Sequence, residues 1–442
     1  MPQVDTIVIG AGPGGYHAAA LAAARGESVV LIEADELGGT CLNRGCIPTK
    51  CLCAAANLAS DIRGAAAFGL RAALEGIDYP ALRQRNAGII ADLRADVAAV
   101  LAKVQVIKGT ARIIGPTPAV AVGDEIFEAH RLIIATGSAP APLRSPGAEL
   151  AMDSNAFLAM DHIPGSVVII GAGVIGLEFA SILCGFGCEV TVLEYAPEVL
   201  AGSGVDPDVA KRLRMLLKRR GIDIVTGAEV TAISPEKSVT YKTRKGEKTV
   251  GAEAVVAAVG RRPVVPEGAA EAGLRLTARG AVEVDSHLRT SVPGVYAIGD
   301  VNGLCMLAHA ASAQAECVVN GREYSPAFTP AVVFTMPECA SVGQPEAEGT
   351  TCVTIPFGAN GKSRADGHPD GILKIVADNP TGRLLGAHAV GAHAADLIAE
   401  AAVAIAAGMT AGQLAGVVHA HPSVSELLAD ACKTKSLFNN YC

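Results

Sequence analysis

Thr6-Ile-Val-Ile-Gly-Ala-Gly-Pro-Gly-Gly15 is an apolar, β-branched run that opens into a glycine turn, and an Ala-rich stretch over residues 17–25 follows it. The run predicts a buried strand, the glycines a tight turn and the alanines a helix. A second apolar run, Ser28-Val-Val-Leu-Ile-Glu33, ends in an acid. The plan recurs as Ser166-Val-Val-Ile-Ile-Gly-Ala-Gly-Val-Ile-Gly176, then Leu177 to Phe186, then Glu189-Val-Thr-Val-Leu-Glu194. Eighteen residues separate the last glycine from the acid in both copies, Gly15 from Glu33 and Gly176 from Glu194. Strand, glycine turn, helix, strand and acid make the opening βαβ unit of a dinucleotide-binding fold. The copies lie 161 residues apart, Gly10 to Gly171, far beyond a solenoid period, which reads as a domain duplication.

Each glycine has a task. Gly10 and Gly171 allow the tight turn, Gly12 and Gly173 let backbone N–H groups approach a pyrophosphate, and Gly15 and Gly176 let the helix pack against the strand. The helix N-terminus then faces the phosphates with its partial positive charge. One such glycine pattern is weak evidence; strand, helix and distal acid in place twice are strong evidence. Glu33 and Glu194 are placed to accept hydrogen bonds from an adenosine ribose. A carboxylate at Glu194 repels a 2′-phosphate, and Tyr195-Ala-Pro197 supplies no Arg to bind one, so NAD is favoured over NADP. Two dinucleotide sites imply two cofactors, one held permanently and one exchanging.

Around these units, residues 50–103 read as helical, with apolar positions at Ile62, Leu82, Ile89, Leu93, Val97 and Leu101. Short strands over Val104–Ile107, Ala119–Val122 and Arg131–Ala135 predict a small antiparallel insertion. Asp153 to Gly165 reads as a linker, and the second unit ends near Val259-Gly-Arg-Arg-Pro263. Val295-Tyr-Ala-Ile-Gly-Asp300 is a further strand-like run, and from about Pro326 strands (Val332, Ile372–Val376, Leu385–Val390) give way to helices. The 442 residues carry 36 Lys+Arg against 44 Asp+Glu, so a nucleic-acid or anionic-membrane partner is not expected. Half the residues are hydrophobic and 18% charged, which excludes a disordered chain. Gly, Pro or a charge interrupts every apolar stretch too early for a membrane helix. Met1-Pro-Gln-Val-Asp-Thr6 lacks a basic leader region, so no signal peptide is expected and the expected location is cytoplasmic.

Twelve cysteines are spread along the chain, too thinly for a disulfide scaffold. Cys41-Leu-Asn-Arg-Gly-Cys46 differs by position, because it lies just past the first βαβ unit, between Gly38-Gly39-Thr40 and Ile47-Pro-Thr-Lys50. A pair at this spacing can bridge about one helical turn, and a helix N-terminus with Arg44 and Lys50 nearby predicts lowered thiol pKa values. Two buried structural thiols are the alternative. Cys51 and Cys53 lack partner ligands for a metal, Cys184 and Cys188 read as helix-packing thiols, and no metal site is expected.

GAGPGG, GGTCLNRGCIPTK, GAGVIGLE, VGRRP, VPGVYAIGD and HAHPSVSE together, in chain order, resemble the pyridine nucleotide-disulfide oxidoreductases over nearly the whole chain. The resemblance implies an α/β fold with two Rossmann-like FAD- and NAD(P)-binding domains and a C-terminal α+β dimerisation domain. Its divisions would be residues 1–150 for FAD, 151–270 for NAD, 271–325 for a central domain returning to the FAD site, and 326–442 for the interface. The first glycine unit, Glu33, Gly39 and Thr40 would hold FAD, with Lys50 beside the flavin. Ala111 and Thr136-Gly137 would touch the cofactor through backbone, Asp300 would bind the ribityl chain, and Ala308 would lie nearby. Gly173 with Glu178, Glu194, Val230 and Gly260 would frame the NAD site.

The members most similar to these motifs oxidise dihydrolipoyl groups to lipoyl disulfide with NAD⁺. The resemblance implies a redox disulfide between Cys41 and Cys46: a dihydrolipoyl thiolate attacks Cys41, and Cys46 passes electrons to FAD and on to NAD⁺. It makes His421 the general base and Glu426 its orienting carboxylate, reaching the disulfide of the other subunit of a homodimer. An imidazole titrating near neutrality suits reversible uptake of a thiol proton. His419 reads as an ordinary hydrogen-bonded or surface histidine. The protein partners implied are the lipoyl carriers of acyltransferase or glycine-cleavage systems. Glutathione, mercuric or related reductases of the same fold are the alternative, and a non-catalytic flavoprotein subunit a further one. Cys442 invites comparison with relatives that use a C-terminal cysteine pair, but its nearest neighbour is Cys432 and no catalytic role is expected. Ser423 stands where Thr is usual, Val264 where Asn is common, and the helical insert after Lys50 is somewhat short; these departures bear on the rim of the substrate channel.

Overall fold

The computed structural model describes residues 3–434, so Cys442 lies outside the described residues. The chain divides into two compact units. One comprises the chain up to Cys51 with Pro80–Ala141 and Gly260–Pro326, and the other Leu52–Tyr79, Pro142–Val259 and the chain from Ala327.

In the first unit the strand Gln3–Ile9 runs into the helix Pro13–Ala24, which returns through Val29–Glu33. Four parallel strands follow the spatial order Gln105–Lys108, Val29–Glu33, Gln3–Ile9, Glu125–Ile134. Ala119–Val122 and Arg112–Ile113 extend this sheet antiparallel, and Val295–Ala297 pairs parallel with Glu125–Ile134. The antiparallel insertion expected from sequence is therefore only partly present. The Val104–Ile107 run, observed as Gln105–Lys108, joins the parallel sheet, and Arg131–Ala135 supplies a central strand. The reason is burial on both faces: Leu132, Ile133 and Ile134 are fully inaccessible, as a central parallel strand requires. Ile7, Val8, Leu31 and Ile133 are likewise fully buried, and each side chain contributes about 1.5–3 kcal/mol by leaving water.

The helical stretch expected over 50–103 is two helices, Cys46–Gly64 and Tyr79–Val100. They are parted by a 3₁₀ turn, Ala65–Phe68, and an irregular segment. Gly64, Gly69 and Gly76 fall in or beside this break, where helix propensity is lowest.

The second unit repeats the plan. Ser166–Ile170, the helix Val174–Phe186 and Glu189–Glu194 lie in a four-stranded parallel sheet ordered Asp223–Thr226, Glu189–Glu194, Ser166–Ile170, Ala254–Ala257. An antiparallel meander, Glu229–Ile233, Ser238–Thr243 and Gly246–Gly251, accompanies it. The same unit contains a five-stranded antiparallel sheet ordered Ala331–Val333, Glu338–Gly343, Leu384–Gly391, Ile372–Asp378, Thr350–Pro356. The helices Ala394–Ala406, Ala411–Ala415 and Glu426–Cys432 pack on it through Leu397, Ile398, Leu414, Leu427 and Leu428.

Candidate active site

The two glycine turns have closely similar geometry. Gly12 and Gly173 each stand at the N-cap of their helix without a side-chain cap, and a Cβ built on either meets nothing within 4 Å. Uncapped first-turn N–H groups facing open space are what a pyrophosphate needs, so the residues fit a dinucleotide in both copies. A Cβ on Gly15 would lie 1.8 Å from the Gly10 carbonyl oxygen, and one on Gly176 2.0 Å from that of Gly171. A side chain there must push helix and strand apart. Gly15→Ala is expected to lower retention of a dinucleotide at this turn about 10- to 100-fold, read as the nucleotide-to-protein absorbance ratio after dialysis. A variant that keeps its full complement of dinucleotide contradicts this close packing of helix on strand.

The acids match as well. Glu33 accepts from the Ala11 N–H (2.5 Å) and the Asp35 N–H (2.7 Å). Glu194 accepts from the Ala172 N–H (2.5 Å) and the Ala196 N–H (2.7 Å). These bonds lock each carboxylate beside its glycine turn. Burial pushes the Glu33 carboxyl above the usual range, although the Ala11 N–H opposes the shift.

Gly39 and Thr40 open the short helix Gly39–Arg44 that carries Cys41, and Cys46 begins the next helix with Lys50 one turn on. Cys41 and Cys46 are both thiols. The hydrogen bond from Cys41 to the Cys46 sulfur, reinforced by burial, pushes the Cys41 thiol far above its ordinary range, despite the attraction of Lys50. The direction at Cys41 is thus opposite to the lowering expected from the helix N-terminus and the cations. Arg44 does not supply the expected charge either, because it pairs with Asp35. The loop between the cysteines is braced by Asn43, which donates to the carbonyls of Leu37 (3.0 Å) and Gly39 (2.9 Å). Asn43 in turn accepts from Arg94 Nη2 at 2.7 Å. Sequence reasoning missed Arg94, since nothing local marks a contact spanning 51 residues.

Ala111 is buried beside Arg112–Ile113. Thr136 and Gly137 follow the strand Glu125–Ile134, with the Thr136 hydroxyl on the Val264 carbonyl. Asp300 sits in the 3₁₀ turn Gly299–Asn302 and accepts from the Ser138 hydroxyl, which also accepts from Arg261 Nε (2.7 Å). Ala308 is the first residue of the helix Ala308–Asn320. Ser138 and Arg261, also missed, tie Asp300 to the strands around it. In the second unit, buried Glu178 lies in the helix Val174–Phe186 and accepts the Phe334 N–H at 2.9 Å, and Val230 lies in Glu229–Ile233. Gly260 has a left-handed backbone, φ +113°.

His421 Nδ1 lies 2.9 Å from Glu426 Oε1, and the other carboxylate oxygen accepts the Ser423 N–H at 2.9 Å. These two bonds hold the Glu426 carboxyl below its usual range. The carboxylate fixes the tautomer with hydrogen on Nδ1, leaving Nε2 as the proton acceptor. The His421 side chain is 81% exposed. Among the described residues no cluster of three or more His, Cys, Asp or Glu is arranged to hold a metal ion, and no helix is long and apolar enough to cross a membrane.

The family pattern for pyridine nucleotide-disulphide oxidoreductases matches residues 4–315, and the dimerisation domain of the same family matches 329–432. The dihydrolipoyl dehydrogenase of Geobacillus stearothermophilus is 37% identical, with 98% of this chain and 96% of that protein covered. The enzyme of the same name from Thermus scotoductus is 38% identical over 98% and 97% of the two chains. Among solved structures, LpdA from Mycobacterium tuberculosis superimposes with a TM-score of 0.87 at 28% identity, covering 97% of this chain and 99% of that one. The Cu(II) complex of the HOCl-induced flavoprotein disulfide reductase RclA from Escherichia coli gives 0.86 at 29% identity, covering 98% and 99%. With both glycine turns, the two-thiol segment and the dimerisation domain in place, this chain belongs to the pyridine nucleotide-disulphide oxidoreductase family.

Proposed function

We propose that the protein is a homodimeric, cytoplasmic dihydrolipoyl dehydrogenase, which oxidises dihydrolipoyl groups on carrier proteins of acyl-transfer or glycine-cleavage type. The observation that carries this reading is the His421–Glu426 pair, held at 2.9 Å in a chain that also contains the Cys41–Cys46 thiols. A dithiol substrate needs a base that takes a proton and returns it, and an imidazole oriented by a carboxylate does so at neutral pH.

In the proposed cycle His421 of the partner subunit takes the proton from one substrate thiol at Nε2. The resulting thiolate attacks Cys41 of the Cys41–Cys46 disulfide, forming a mixed disulfide and releasing Cys46 as thiolate. The second substrate thiol attacks the substrate sulfur bound to Cys41 and its proton passes to the departing Cys41 sulfur, so lipoyl disulfide leaves and Cys41 is released as a thiol. The hydrogen bond to the Cys46 sulfur, with burial, then favours the protonated form of Cys41. FAD bound at the first glycine turn would supply the two-electron chemistry that links the reduced cysteine pair to NAD⁺. The first glycine turn with Glu33, Gly39, Thr40, Lys50, Ala111, Thr136, Gly137, Asp300 and Ala308 would hold FAD. Gly171, Gly173, Gly176, Glu178, Glu194, Val230 and Gly260 would hold NAD.

The test is a side-by-side kinetic comparison of dihydrolipoamide, glutathione disulfide and metal ions with each nicotinamide cofactor. Dihydrolipoamide with NAD⁺ is expected to dominate; NADPH-driven reduction of glutathione disulfide with no dihydrolipoamide turnover overturns the reading. Glu194→Ser is expected to cut kcat/KM for NAD⁺ about 10- to 100-fold while leaving NADP⁺ unchanged or improved, because it removes both the ribose acceptor and the charge that repels a 2′-phosphate.

A further inference from the structure

We propose that His419 is a second, positioning histidine, whose pairing with Glu400 anchors the loop that carries the general base. The proposal rests on the function proposed above and assigns a residue to it.

The chain from Val418 to Ser423 makes no backbone–backbone hydrogen bond among the described residues; the flanking ones are Val417 N–H to the Leu414 carbonyl and Leu427 N–H to the Val424 carbonyl. Side chains must therefore set the position of the loop. Downstream of His421, Asn360 donates to the Ser423 carbonyl at 2.9 Å, and Glu426 holds both the Ser423 N–H and His421. Upstream the tether is His419. Its Nε2 lies 2.6 Å from Glu400 Oε1, on the helix Ala394–Ala406, and its Nδ1 lies 3.0 Å from the Val417 carbonyl oxygen.

The two histidines differ sharply in burial. The His419 side chain is 7% exposed and that of His421 81%. Both ring nitrogens of His419 face acceptors, so a neutral ring satisfies one contact and a protonated ring both. The charged groups around it are Glu400 from the helix beneath, and Glu426 with His421 from its own loop and the following helix. A base displaced by about 1 Å loses roughly 100-fold in rate, so a tether two residues away acts on kcat without touching substrate.

The test uses the full-length FAD-loaded enzyme with His419→Ala, His419→Gln and Glu400→Gln. His419→Ala is expected to lower kcat for dihydrolipoamide about 10- to 100-fold. NADH oxidation by ferricyanide, which draws electrons from the flavin without a thiol step, should stay within about twofold. Gln at 419 keeps a donor toward Glu400 and is expected to recover most of the loss in that protein. Glu400→Gln leaves a neutral acceptor toward the ring and is expected to lower kcat less than His419→Ala does. As a readout independent of substrate, amide exchange at Ser423 should accelerate about tenfold in His419→Ala. Unchanged exchange with kcat within twofold of the parent overturns the proposal. A parent enzyme inactive with dihydrolipoamide, yet showing the faster Ser423 exchange on substitution, overturns the function and leaves the tether standing. If His419→Ala also loses ferricyanide activity, the Gln variant decides: recovery supports the tether, and equal loss in folded protein overturns it.

Discussion

Cys46→Ser protein is expected to purify yellow, with FAD retained, and to turn over dihydrolipoamide at least about 10³-fold more slowly than the parent. The size follows from the chemistry. Without the second sulfur no disulfide can form with Cys41, so an attacking thiolate finds no sulfur–sulfur bond and the electron pair has no route from substrate. Flavin retention follows from separation of tasks: the uncapped turn at Gly12, and Glu33 fastened to the Ala11 and Asp35 N–H groups, contain neither cysteine. Anaerobic titration with dihydrolipoamide, followed by flavin absorbance, checks both parts. Substantial lipoamide turnover in this variant rules out the thiol relay. Cys41→Ser is expected to be as inactive, and it also removes the S–H that donates to Cys46.

Lys374→Met is expected to cost about 3–5 kcal/mol of stability and lower the first thermal transition by roughly 5–10 °C. The Lys374 side chain is 4% exposed in the strand Ile372–Asp378, with Nζ 3.2 Å from Asp206, 2.8 Å from Asp208 and 3.1 Å from Glu346. Asp206 is itself 1% exposed and caps the helix Pro207–Arg219, so removing the lysine leaves its charge buried without a counter-ion. Burial opposes the charge on Lys374, but the hydrogen bonds to Asp208 and Glu346 and the charge of Asp206 outweigh it and raise its pKa. A raised lysine stabilises fully below its unfolded value, and the gain is lost as pH rises through the folded one. Asp208 is lowered chiefly by its bond to Lys374, so its contribution is present above its unfolded value and lost as pH falls through the lowered one. The parent should therefore lose stability below about pH 4 and above about pH 10, and the variant should lose both dependences. Adding Asp206→Asn to Lys374→Met should restore much of the loss, since no buried charge then remains unpaired. Calorimetry across pH checks this, and a single variant as stable as the parent contradicts it.

Much of the fold was legible because its signals are local. Val-Val-Ile-Ile before a glycine turn and an acid eighteen residues after the last glycine report a strand, a helix and a ribose acceptor without knowledge of any distant residue. The strand Gln105–Lys108 was misjudged because a short apolar run does not say which neighbour it pairs with, and here the neighbour is Val29–Glu33. The break between the helices Cys46–Gly64 and Tyr79–Val100 was overlooked because an alanine-rich composition outweighed the glycines within it.

By itself the sequence determined two dinucleotide-binding units, a cysteine pair after the first, and a histidine five residues before an acid in the last segment. Glycine stereochemistry, strand and helix periodicity and short-range spacing are enough for that. Only the tertiary structure decided which groups meet. It paired Arg44 with Asp35 rather than with a thiol, braced the cysteine loop through Arg94, raised the Cys41 thiol through burial and its bond to Cys46, and gave His419 its partner Glu400. It also joined Lys374 to Asp208 across 166 residues. Charge, burial and hydrogen-bond partners are properties of neighbours in space, and no local pattern in the chain names those neighbours.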